Sequence, residues 1–160
     1  MEHGEQEAQA LRKLLVSPDN TVPPREVVEA VETLLGGRAA RCALSELEDV
    51  VVHRTERTNW MITVATDTDV IRVTAGGPKS DRQSPTSPRP DELGATCIPL
   101  TEITGLTASR VTDSDGVAND LVWIILFRSH EPMPVPGLSG VAQVGEFVRH
   151  LRSVWPTRVG

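Results

Sequence analysis

Hydrophobic positions follow a helical period at both ends of the chain and a strand period in between. In residues 5–16, Ala8, Leu11, Leu14 and Leu15 recur at helical spacing, and Ser17, Pro18, Asp19 and Asn20 then supply turn residues. A second helix is expected after Pro23 and Pro24, with Val27, Val28, Val31, Leu34 and Leu35 as its apolar stripe. Gly36 and Gly37 suit its left-handed C-terminal cap. Helices this short are marginal alone in water, so both must pack on the rest of the domain or on another chain. The Leu11, Leu14 and Leu15 face is thus a candidate for contact with a partner or a second copy.

Beyond Gly37 the period shortens to two. Ala40, Cys42 and Leu44 alternate with polar neighbours, Ser45 and Glu46 read as an interruption, and Val50–Val52 resume the extended pattern. Two β-branched runs follow, around Met61–Val64 and Val70–Val73, separated by Asp67 and Thr68, which predicts a tight hairpin. The expected register sets Ile62 and Val64 opposite Val70 or Ile71. Residues 76–94 hold one large aliphatic side chain, Leu93, and many Pro and small polar residues, so a mobile loop is predicted there. Its Ser84-Pro85 and Ser87-Pro88 pairs suit proline-directed phosphorylation, while a tolerated insertion explains the loop without it.

Strand patterns return at Thr96–Leu100 and Ile103–Val111, joined through Thr101 and Glu102. The run Leu121–Phe127 is apolar on both faces, which places it centrally in a sheet. Pro132, Pro134 and Pro136 restrict the next segment to a brief edge strand. Ser139 can then cap a last helix whose apolar face is Val141, Val144, Phe147, Val148, Leu151 and Val154 or Trp155, with Pro156 ending it.

A helix only at the end of an antiparallel meander plugs a sheet edge or the open end of a barrel. With this order of elements, TVATDTDVIRVTA, CIPLTEITGLTAS, LVWIILF and VAQVGEFVRHLRSVW resemble the bacterial pleckstrin-homology-like (PH-like) domains over residues 38–155. The preceding helix with its Gly-Gly end is also similar to a small actinobacterial family of uncharacterised PH-like proteins. The fold expected is α+β: a PH-like antiparallel β-sandwich or partly open barrel of about six or seven strands. A C-terminal helix caps it and two N-terminal helices precede it. The corresponding divisions are residues 1–37, the domain at 38–155 and a tail at 156–160.

The resemblance implies a non-enzymatic module for protein–protein interaction or scaffolding, acting on a protein partner or by self-association. Some relatives bind phosphoinositides through basic residues in the loop joining the first two strands. Here that loop holds Arg54 and Arg57, with Arg38 and Arg41 just upstream. The alternative function is therefore binding of a lipid headgroup or small anion at the barrel mouth by these four arginines. The lysine-rich lipid signature of such relatives is absent. An enzyme with a site assembled from distant residues is the third reading.

Composition narrows these classes. With 160 residues, 39% hydrophobic, the chain fits one soluble domain. A net charge of -6 argues against general nucleic-acid binding, which needs a concentrated cationic face. No apolar stretch is long enough for a transmembrane segment, and the acidic, polar start does not read as a secretory signal, so a cytoplasmic location is expected. Cys42 and Cys97 are expected to be buried free thiols. His3, His53, His130 and His150 have no metal-ligand spacing, and Asp113-Ser114-Asp115-Gly116 fails as a calcium loop because Ile124 occupies the twelfth position. No cofactor, metal or catalytic residue is thus assigned. Of the five aromatic side chains, Trp123, Phe127 and Phe147 fall on core elements, leaving Trp60 and Trp155 for recognition.

Overall fold

A computed structural model of the chain describes residue 15 and residues 23–79, 90–112, 118–135 and 141–154. Apart from Leu15, the predicted helix at 5–16 lies outside the described residues, as do the tip of the predicted loop, residues 113–117 and Trp155. Among those described, helix α1 spans Arg25–Leu35 and helix α2 spans Val141–Val154. Seven antiparallel strands lie between them: β1 (Cys42–Val52), β2 (Thr55–Ala65), β3 (Asp69–Pro78), β4 (Glu92–Pro99), β5 (Ile103–Thr112), β6 (Ala118–Phe127) and β7 (Met133–Pro134). They form a four-stranded sheet in the order β1-β2-β3-β4 and a three-stranded sheet in the order β5-β6-β7. The predicted α+β class and strand number hold, and the sheets do not close into a barrel among the described residues. Leu121–Phe127 does lie in the central strand of its sheet, and the proline-broken segment is its edge.

Both faces of the four-stranded sheet are used. On the outer face, Trp60, Ile62, Val64, Ile71, Val73 and Ala75 pack against Val27, Val28, Val31 and Leu35 of α1 and against Leu15. Each such aliphatic side chain contributes roughly 1.5–3 kcal/mol by leaving water, which is what holds so short a helix. α1 ends as its glycines require: Gly36 (φ 57°) and Gly37 (φ 86°) both take positive φ, and Gly36 N donates to Glu32 O at 3.2 Å. Ser45 faces the same side and donates to Leu15 O at 2.7 Å.

On the inner face, Leu44, Ala65, Val70 and Ile98 form a second core with Ile103, Ile125 and Phe127 of the smaller sheet and Val144, Phe147, Val148 and Leu151 of α2. This core sits at the end of the sheet nearest the β2–β3 turn. There Thr66 Oγ1 accepts from the backbone of Thr68 (3.1 Å) and Asp69 (2.9 Å), and His150 Nε2 of α2 lies 2.9 Å from Thr66 O. The hairpin matches its expected register, Val64 facing Ile71.

Four expectations change. β1 runs unbroken through Ser45 and Glu46, because those polar side chains sit on opposite faces of a strand that is only partly core. The predicted loop at 76–94 is strand at both ends, Gly76–Pro78 pairing in β3 and Glu92–Gly94 in β4. Trp60 is buried in the outer-face core, and both cysteines are half-buried rather than fully enclosed.

Candidate functional site

Strand pairing puts two rows of side chains across the far half of the inner face, which lies outside the core formed with the smaller sheet and α2 among the described residues. One row is Glu46, Met61, Thr74 and Gly94; the next is Glu48, Asn59, Gly76 and Glu92. Residues directly opposite in an antiparallel ladder share a face, so each row crosses all four strands. Together they line a cleft of about 600 Å³. Glu48, Asn59, Thr74, Glu92 and Gly94 are solvent-exposed, whereas Glu46 and Met61 are half-buried.

The two glycines set the depth of this cleft. A Cβ on Gly76 would lie 2.9 Å from Asn59 Oδ1, 3.4 Å from Glu92 Oε2 and 3.5 Å from an Arg57 guanidinium nitrogen. At Gly94 it would lie 3.2 Å from Thr74 Oγ1. Hydrogen at Gly76 lets the Asn59, Glu92 and Arg57 side chains close over its buried backbone, whereas Gly94 leaves exposed backbone beside Thr74.

Toward the core, the next residue on β3 is Arg72. It donates to Thr63 Oγ1 at 3.1 Å from Nε and 2.9 Å from a terminal nitrogen, and to Pro134 O of β7. Arg72 therefore ties the sheets together where the cleft ends. Burial lowers its pKa to about 10, partly opposed by Glu46. Burial raises the pKa of the Glu46 carboxyl, as does the neighbouring charge of Glu48, while Arg72 lowers it.

The four arginines singled out from the sequence divide between opposite ends of the large sheet. Arg38 follows α1, donates to Leu34 O (2.6 Å) and Leu35 O (2.7 Å), and ion-pairs with Asp69. Arg41 grips both carboxylate oxygens of Asp67 at 2.9–3.1 Å. At the other end, Arg54 (φ 65°) follows His53 (φ 49°) in the β1–β2 turn, and Arg57 lies on β2, bound to Asp91 by contacts of 2.9 and 2.5 Å. Arg38, Arg41 and Arg57 thus face carboxylates, and each end holds only two of the four. Of the proposed partner contacts, Leu15 is fully buried in the outer-face core, and Leu11, Leu14 and Trp155 lie outside the described residues.

Among the described residues no group of three or more His, Cys, Asp or Glu side chains is arranged to hold a metal ion, and no helix is long and apolar enough to cross a membrane. The chain matches no protein-family model, no curated protein and no solved structure.

Proposed function

We propose that this chain is a non-enzymatic, PH-like protein-interaction module that docks its partner on the far half of the inner face of the four-stranded sheet. Four antiparallel strands, then three, then a helix seated in the core support the PH-like reading. The observation that carries the docking reading is the cleft of about 600 Å³ between β1 and β4, on a sheet whose opposite face carries α1 packed on β2 and β3. A sheet face in this setting is a rigid platform, with side chains fixed in register by their ladder partners. The anionic-ligand alternative draws less support, since a guanidinium held bidentately by a carboxylate must lose that partner before it meets a phosphate.

Thr74, exposed at the centre of the cleft, gives the test. In a Thr74→Trp variant the indole fills the cleft from outside the core, so the fold survives while docking is blocked. The native-host protein retained by the parent chain is expected to be lost by Thr74→Trp. Retention by both, or parent binding to anionic vesicles that Arg54→Ala with Arg57→Ala abolishes, overturns the reading.

A further inference from the structure

The chemistry of the two rows specifies what can dock. Glu48 and Glu92 end the same row on opposite edge strands, three strand spacings apart, which is about 14 Å. At the β1 edge, Glu46 and Glu48 share the face with one guanidinium, Arg72, whose hydrogen bonds already run to Thr63 and Pro134. At the β4 edge, Asp91 and Glu92 stand beside one guanidinium, Arg57, which Asp91 grips with two hydrogen bonds. Among the described residues, each edge therefore carries one carboxylate more than its arginine balances. Between the edges the floor is Met61, the Asn59 amide, the Thr74 hydroxyl and backbone bared at Gly94. Amide and hydroxyl groups match the polar groups of a peptide main chain, and bare glycine backbone lets that chain approach.

An extended peptide advances about 3.3 Å per residue and returns a side chain to the same face at every second position, so about 14 Å corresponds to a spacing of four residues. We propose that the cleft docks an extended segment of a partner protein bearing two basic side chains four residues apart, one against Glu46 and Glu48 and the other against Glu92. The inference rests on the docking reading above and adds the chemistry of the partner. Two cations at the ends fix position and direction by charge complementarity, while the neutral floor accepts the peptide between them.

A fluorescein-labelled pentapeptide, Lys-Ser-Gly-Ser-Lys with capped termini, tests this by anisotropy titration against the full chain. Its isomer with adjacent lysines and a glutamate analogue serve as controls. The spaced peptide is expected to bind about tenfold more tightly than the isomer, and Glu48→Gln or Glu92→Gln, both at exposed positions, to weaken it by a similar factor. Added salt weakens it further, and Thr74→Trp abolishes it. Equal affinity for both lysine peptides, affinity unchanged in both glutamine variants, or displacement by spermine as effective as by unlabelled peptide overturns the proposal. A native partner lost by Thr74→Trp yet insensitive to Glu48→Gln and Glu92→Gln overturns the cationic-segment inference and leaves the docking reading standing. A partner insensitive to Thr74→Trp overturns both.

Discussion

Arg57 on β2 and Asp91, just ahead of β4, clasp each other across β3 through two hydrogen bonds of 2.9 and 2.5 Å. This pair bridges strand ends that the sequence assigned to loops, and it occupies one of the two arginines at that end of the sheet. Hydrogen bonding to Arg57 holds the Asp91 carboxyl below its ordinary pKa. A depressed carboxylate stabilises the fold above its unfolded pKa, about 4, and that contribution is lost as pH falls through the folded value. Asp91→Asn should therefore lower the melting temperature near neutral pH, and the difference from the parent should vanish as the solution is acidified through that range. A difference independent of pH contradicts the pairing.

Arg72 makes a second bridge, from the large sheet to β7. Arg72→Met leaves the buried Thr63 Oγ1 without its donor, at about 1–3 kcal/mol, while Pro134 O is exposed and can bond to water, and the loss is offset in part because a buried charge no longer has to be desolvated. A net loss of about 1–3 kcal/mol is expected from urea unfolding. Unchanged stability indicates that the smaller sheet is held by its apolar core alone.

The two thiols should differ in reactivity. Burial, with the charge of Glu146 adding to it, pushes the Cys42 pKa up to about 12, so at about pH 8 almost no thiolate forms. Cys97 on β4 is half-buried beside an Arg38 guanidinium nitrogen at 4.0 Å. With a disulfide thiol reagent, Cys97→Ser should eliminate the rapid phase under native conditions, and Cys42 should react only as denaturant is added. A rapid native phase in Cys97→Ser contradicts the raised pKa of Cys42.

Gly76→Ala tests how the cleft floor packs around Asn59. The φ of Gly76 lies outside the left-handed region, so alanine fits the strand, but its methyl group would meet Asn59 Oδ1 at 2.9 Å and push that side chain into the cleft. Stability should change by less than about 1 kcal/mol, the span of strand preferences. Affinity for the spaced-lysine peptide should fall several-fold. Equal affinity indicates that the peptide does not reach this part of the floor.

Much of the architecture is legible from periodicity alone. Val27, Val28, Val31 and Leu35 on α1, Ile125 and Phe127 on β6 and the stripe Val144, Phe147, Val148 and Leu151 are apolar because they face a core, and patterning reports that directly, as the Asp67–Thr68 turn reports the hairpin. The cleft escapes the same reading for the same physical reason. Ser45 and Glu46 look like a break in β1, and Gly76, Gly77, Leu93 and Gly94 look like loop, because a strand lining a solvent-filled cleft has no reason to alternate. Their shared signal is a polar or glycine stretch directly continuing a strong strand. Nothing local in the sequence reveals that Glu48 and Glu92, 44 positions apart, end the same row.

The most direct test of the docking surface is a two-dimensional amide NMR titration of the isotope-labelled chain with the capped Lys-Ser-Gly-Ser-Lys peptide. The largest shifts are expected at Glu46–Glu48, Asn59–Met61, Thr74–Gly76 and Glu92–Gly94, with α1 and the Arg38 and Arg41 region unmoved. Shifts centred on α1, on Arg38 and Arg41 or on the His53–Arg54 turn, or no shifts at peptide saturation, contradict it.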